Sequence, residues 1–139
     1  VNAHPGGSTA DPPTRPLAIG LAAGRLAIGA GLWLAPRRCA RALGFEALDS
    51  TGLALARIAA TRDLVLGAWQ LRALDDRERL RTATLGVGLA DTGDALAFTL
   101  ALADRRTRRA GVRGLAGALP AALAGLWLAA RLGPDRGAR

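Results

Sequence analysis

The sequence contains no lysine and no tyrosine, and only one cysteine and one histidine among its 139 residues. Each scarcity removes a class of function. Cys39 has no partner for an internal disulfide, and its place directly after an apolar run gives it a structural role. His4 stands alone near the start of the chain and cannot assemble a metal site with the ligands available. No nucleophile is paired with a histidine, and no glycine-rich phosphate loop is present. Catalytic residues, metal ligands and cofactors are therefore not expected, and neither is enzymatic activity. The lack of tyrosine, with all three tryptophans inside apolar runs, leaves the basic residues without base-stacking aromatics between them. A nucleic-acid partner is not expected either. The use of arginine for every basic position reflects compositional bias and carries no functional weight.

What the chain does contain is alanine, leucine, glycine and arginine. Half of it is hydrophobic and the net charge is +8. A chain of this length makes one domain, with room for four helices and little else. The arginines fall in clusters between apolar runs, notably Arg37, Arg38 and Arg41, then Arg77, Arg79 and Arg81, then Arg105 to Arg109. Such clusters suit anionic lipid head groups. Trp33, Trp69 and Trp127 each lie near the C-terminal end of an apolar run, where membrane aromatic belts form. Together with Arg37, Arg38, Arg105 and Arg106 they are assigned to the lipid interface.

Residues 1–16, rich in proline and glycine, bury too little to order themselves and are predicted to form a disordered tail. They make a poor signal-peptide leader. The apolar runs predict spans at about 17–35, 53–74, 82–103 and 112–130, within a membrane domain of 17–132 followed by a tail of 133–139. Nineteen helical residues come close to the roughly 30 Å of hydrocarbon in a bilayer. Pro36 stops the first helix. Small residues recur on one face of the first run (Gly20, Gly24, Ala27, Gly31) and of the third (Gly86, Ala90, Gly93, Ala97), a spacing that lets a neighbouring helix approach. Pro120 inside the fourth run is tolerated where neighbours satisfy the freed carbonyl. The fold class expected is all-α, a four-transmembrane-helix bundle with a disordered N-terminal tail. Arginine counts on the two sides nearly balance, so orientation stays open.

The organising feature is Arg62-Asp63 in the middle of the second run. Adjacent opposite charges inside an apolar segment are expensive to bury and demand partners. Depth supplies them. At about 1.5 Å per residue from one membrane face, Arg25 lies about 12 Å deep, Asp63 and Arg62 about 15 and 16 Å, and Asp91 and Asp94 about 14 and 18 Å. Five ionisable groups thus converge on one layer. The faces agree less well. Asp63 shares its face with Ala56, Ala60, Gly67 and Gln70, whereas Arg62 shares one with Leu55, Ile58, Leu66 and Trp69 and must wrap to reach an aspartate. A central charge costs about 2.5 to 3.5 kcal/mol to insert, against about 0.3 to 0.6 returned by each large apolar residue. The second span, with eight Leu, Ile or Val residues against the three charges Arg57, Arg62 and Asp63 in its interior, needs pairing to be stable. Adding Arg57, which lies nearer an interface, gives three charges of each sign and a neutral cluster.

At these residues the chain resembles small four-helix bacterial integral-membrane proteins described only as a domain of unknown function. The likeness rests on Gly24-Arg25 with Gly29 and Pro36, on Ala60-Thr61-Arg62-Asp63-Leu64 leading to Gly67, and on Asp91 and Asp94. It covers about Leu17 to Leu132 and implies no particular activity. Three readings stay open. The first is a non-enzymatic, multi-pass inner-membrane protein whose Arg/Asp cluster is structural or binds a small ligand or partner. The second is a proton-coupled transporter or accessory membrane subunit. The third is a soluble helical bundle that binds a partner through its arginine clusters, kept open by a mean hydropathy of only +0.20. The partners expected are the lipid bilayer and either further copies of the chain or another membrane subunit.

Overall fold

The computed structural model describes residues 14–45 and 47–133. Residues 1–13 and 134–139, which hold most of the two predicted tails, lie outside that range. Among the described residues the protein is all-α, with five helices: α1 (Thr14–Leu34), α2 (Pro36–Leu43), α3 (Ser50–Arg72), α4 (Arg77–Ala101) and α5 (Arg108–Leu132).

The helix ends follow local chemistry. Thr14, Arg15 and Pro16, expected in the tail, form the first turn of α1 instead, where proline lacks only an N–H that has no helical partner. Pro36 ends α1, as its ring requires, and also opens α2. That short helix was not predicted, because its three arginines read simply as an anchor. Gly44 closes it in the left-handed region (φ 100°), with Gly44 N–H donating to the Arg41 carbonyl and Phe45 N–H to that of Ala40. Asp49 caps α3 by accepting from Gly52 N–H at 2.7 Å. Asp76 does the same for α4, accepting from Arg79 N–H at 2.9 Å, so the helix begins inside the predicted charged loop.

The four long helices pack as two antiparallel pairs, α1 with α3 and α4 with α5, which touch each other more sparsely. Small residues set both seams. A Cβ on Gly29 would stand 2.9 Å from the Ala60 carbonyl oxygen, and one on Gly125 would stand 3.1 Å from Gly88 Cα. The α1 seam is Ala18, Ala22, Arg25 and Gly29. It keeps the predicted four-three-four spacing on a different face, for a Cβ at Gly20 or Gly24 meets nothing within 4 Å. Likewise α4 buries Ala83, Thr84, Val87, Gly88, Asp91 and Ala95, while Gly93 stands in open space. Arg25 and Asp91 decide the matter: their need for partners turns their own faces inward and leaves the glycine stripes off the packed seams.

The largest apolar cluster lies at one end, where Ala18, Ala73, Leu80, Ala83, Leu128 and Leu132 meet. Arg77 fastens the same end, its Nε donating to the Leu132 carbonyl at 3.0 Å. At the other end, Arg113 donates to the Ala42 carbonyl of α2 at 2.9 Å. Two helices, α1 and α5, are long and apolar enough to cross a membrane; α3 and α4 do not meet that test. Both of the latter carry charges in mid-helix.

Candidate functional site

The site is built by three helices. Arg25 projects from the seam face of α1, Arg62 and Asp63 from the middle of α3, and Asp91 and Asp94 from one side of α4. Arg25 and Asp63 are 8% and 7% exposed and Asp91 6%. Such burial requires charge pairing.

Arg25 Nη1 donates to Asp63 Oδ1 at 2.9 Å, and its Nη2 donates to Asp91 Oδ1. Arg62 grips Asp94 with both terminal nitrogens, Nη1 to Oδ1 at 2.8 Å and Nη2 to Oδ2 at 2.6 Å. This bidentate fork is the stronger form of a guanidinium–carboxylate bond. Arg62 Nη2 also donates to Asp63 Oδ1 at 3.1 Å, so that one oxygen serves both arginines. The Arg62 and Asp94 side chains stay 39% and 30% exposed. Arg62 therefore does leave its apolar face and wrap inward.

These bonds have an architectural consequence. Arg25–Asp91 and Arg62–Asp94 both run from the α1/α3 pair to the α4/α5 pair, across the interface where direct packing is thinnest. A second polar bridge, from Gln70 Nε2 to Thr84 Oγ1 at 3.3 Å, crosses the same interface nearer the apolar end. Gln70 shares the Asp63 face in the sequence, and that shared face was the signal for its burial. Nothing in the sequence singled out Thr84, whose partner comes from another helix.

The expected charge balance does not hold. Arg57 sits over the Trp33 ring, 5.8 Å from its centroid, and makes no bond to the cluster. Two guanidiniums face three carboxylates, an excess of one negative charge. Asp63 and Asp91 each use only Oδ1; their Oδ2 atoms accept no hydrogen bond among the described residues.

Beside the cluster, between the two helix pairs, lies a cavity of about 410 Å³. Arg25, Arg62, Arg113 and the three aspartates are its charged lining residues, and Gly20, Gly24, Ile28, Phe98 and Gly117 contribute to the apolar remainder. No group of three or more His, Cys, Asp or Glu is placed to hold a metal among the described residues.

The residues assigned to the interface fall at the two ends. Trp33, Arg37, Arg38, Arg105 and Arg106 are exposed toward the α2 end; Trp69 and Trp127 are exposed toward the opposite one. Trp33 donates its indole N–H to Thr61 Oγ1 at 3.0 Å, and Arg131 lies 5.1 Å from the Trp127 ring centroid. Comparison with protein-family models, with curated proteins and with solved structures finds no match to this chain.

Proposed function

We propose that the protein is a small non-enzymatic membrane protein whose four long helices span the inner membrane, with the Arg/Asp cluster at mid-depth locking two helix pairs together. One observation carries this reading: many large apolar side chains face outward while ionisable ones in mid-helix are buried. Leu34, Leu100, Ile58, Leu96 and Val65 are 86%, 69%, 66%, 62% and 61% exposed, while Arg25, Asp63 and Asp91 are buried. A protein in water turns its large aliphatic side chains inward and leaves no extended apolar surface. In hydrocarbon the preference reverses, and ionisable groups face the bundle interior and pair there.

The same pattern accounts for α3 and α4. Their mean hydropathy is lowered by charged residues near their ends and by Arg62, Asp63, Asp91 and Asp94, which are paired in mid-helix. Their outward residues include Leu55, Ile58, Val65 and Trp69 on α3, and Leu85, Leu89, Leu96 and Leu100 on α4. The unpaired cost of inserting them, several kcal/mol for α3 on the insertion scale, falls once Arg25, Asp91 and Asp94 supply partners. The arrangement accords with the resemblance to four-helix bacterial membrane proteins and makes the bilayer the principal partner.

The test is partition. Membranes from cells expressing the tagged chain are washed at alkaline pH. Retention in the pellet, with release by detergent alone, is expected. Release into the alkaline supernatant would overturn the four-span reading and favour the soluble bundle.

A further inference from the structure

The carboxylate excess and the cavity are adjacent, and together they specify a ligand class. Asp63 and Asp91 line the cavity, and each keeps one oxygen free of hydrogen bonds. The guanidiniums are already engaged: both terminal nitrogens of Arg25 and of Arg62 donate to aspartates, two cations against three carboxylates. The remaining charged lining residue is Arg113. It neighbours Gly114, which packs on Phe98, seven residues and so about 10 Å along α4 from Asp91. Bonded to the Ala42 carbonyl and exposed, it stands apart from the cluster. An anion would therefore meet unpartnered carboxylate oxygens at the cluster. A metal ion would find no converging set of ligands among the described residues. The volume falls within the range that small-molecule pockets occupy, and the rest of the wall is apolar.

We propose that this cavity binds a monovalent organic cation with an apolar body, its ammonium head against the free oxygens of Asp91 and Asp63. The body lies on Gly20, Gly24, Ile28, Phe98 and Gly117. Glycine at three of those positions keeps the wall open, for a Cβ at Gly20, Gly24 or Gly117 meets nothing within 4 Å. The inference adds a ligand to the membrane reading and rests on it only in that hydrocarbon leaves the excess charge unsolvated.

The test is equilibrium binding to the full-length protein purified in neutral detergent, which is independent of the alkaline partition result. The probes are benzyltrimethylammonium, benzyl alcohol and benzoate, which share an aromatic body and differ in charge. The cation is expected to bind about tenfold or more tighter than the alcohol, with benzoate weakest, as one buried charge pair implies. Asp91→Asn removes the excess charge and should abolish that preference. Gly117→Leu fills the cavity without touching the cluster and should weaken cation and alcohol alike. Equal binding of cation and alcohol to the unaltered protein would overturn the proposal and assign the excess charge to a bound proton. Undiminished cation binding in Gly117→Leu would overturn it too, and that variant decides the matter should Asp91→Asn fail to fold.

Discussion

The charge count makes Arg25 and Asp91 unequal partners, although each is bonded to the other. Arg25→Met would leave Asp63 with Arg62 alone and Asp91 with no cation at all, so two guanidinium–carboxylate bonds vanish while three carboxylates remain. Removing one member of a buried pair costs about 3 to 5 kcal/mol, because the survivor is left charged and desolvated. Asp91→Asn acts differently. The side-chain amide oxygen still accepts from Arg25 Nη2, Arg25 keeps Asp63, and the cluster becomes two cations with two anions. Its expected cost is about 1 kcal/mol, the worth of weakening one hydrogen bond. The double variant should then be milder than the sum of the two, by about 1 to 2 kcal/mol, since the unpaired carboxylate created by the first change is absent after the second. Equilibrium unfolding in mixed micelles, followed by helical circular dichroism, measures all three. If Asp91→Asn proved as damaging as Arg25→Met, or if the two effects were additive, the carboxylate excess would be refuted as the governing feature.

Three further variants test how the helices are packed and capped. Gly29→Leu forces a side chain onto the Ala60 carbonyl and Leu64 and should destabilise by about 1 to 3 kcal/mol, whereas Gly24→Ala enters open space and should stabilise α1 by up to about 1 kcal/mol, both read from the same unfolding curves. Equal effects would show that the wrong face of α1 had been assigned to the seam. Gly44→Ala meets both a left-handed backbone and the α5 backbone 3.1 Å away, and should lower stability by about 1 to 2 kcal/mol; a neutral result would mean that α2 ends without the left-handed cap.

The convergence of the five charged residues was legible because antiparallel connectivity and a fixed rise per residue set their level before any packing is known. Level along an axis is a one-dimensional quantity, and sequence carries it well. Rotation about the axis is harder. Gly20, Gly24, Ala27 and Gly31 offered a smooth stripe, yet α1 is turned so that Ala18, Ala22, Arg25 and Gly29 are buried. Two stripes of equal spacing differ only in whether one includes a charge, and the pairing demand of Arg25 outweighs the convenience of glycine. The same logic misplaced Arg57. It lies about one and a half turns from the cluster level, where a tryptophan ring was the nearer partner, so a count of charges per run could not give the balance of the cluster. The helix α2 was hidden for a different reason. Eight residues are too few for a periodic signal, and Pro36 reads equally well as a stop or a start.

Cluster and cavity lie together where small residues line α1 and α5, away from the end at which Leu80, Leu128 and Leu132 join the helix pairs. Within a pair, glycine lets the backbones close to contact, at Gly29 on Ala60 and at Gly88 on Gly125. Between pairs, the lining of α1 and α5 includes Gly20, Gly24, Gly114, Gly117, Ala118 and Ala121, residues too short to meet across the gap. Dispersion falls off steeply with separation, so such walls supply little cohesion. A long guanidinium side chain can bridge that distance, and Arg25 reaches from α1 to α4 to do so. Its bond also fixes the spacing: closing the void would displace Arg25 from Asp63 and Asp91, and opening it would break Arg62 from Asp94. The ion pairs therefore maintain the gap as much as they hold it together. A substitution that filled the cavity would leave the charges their partners, whereas one that removed the charges would leave the cavity nothing to keep it open.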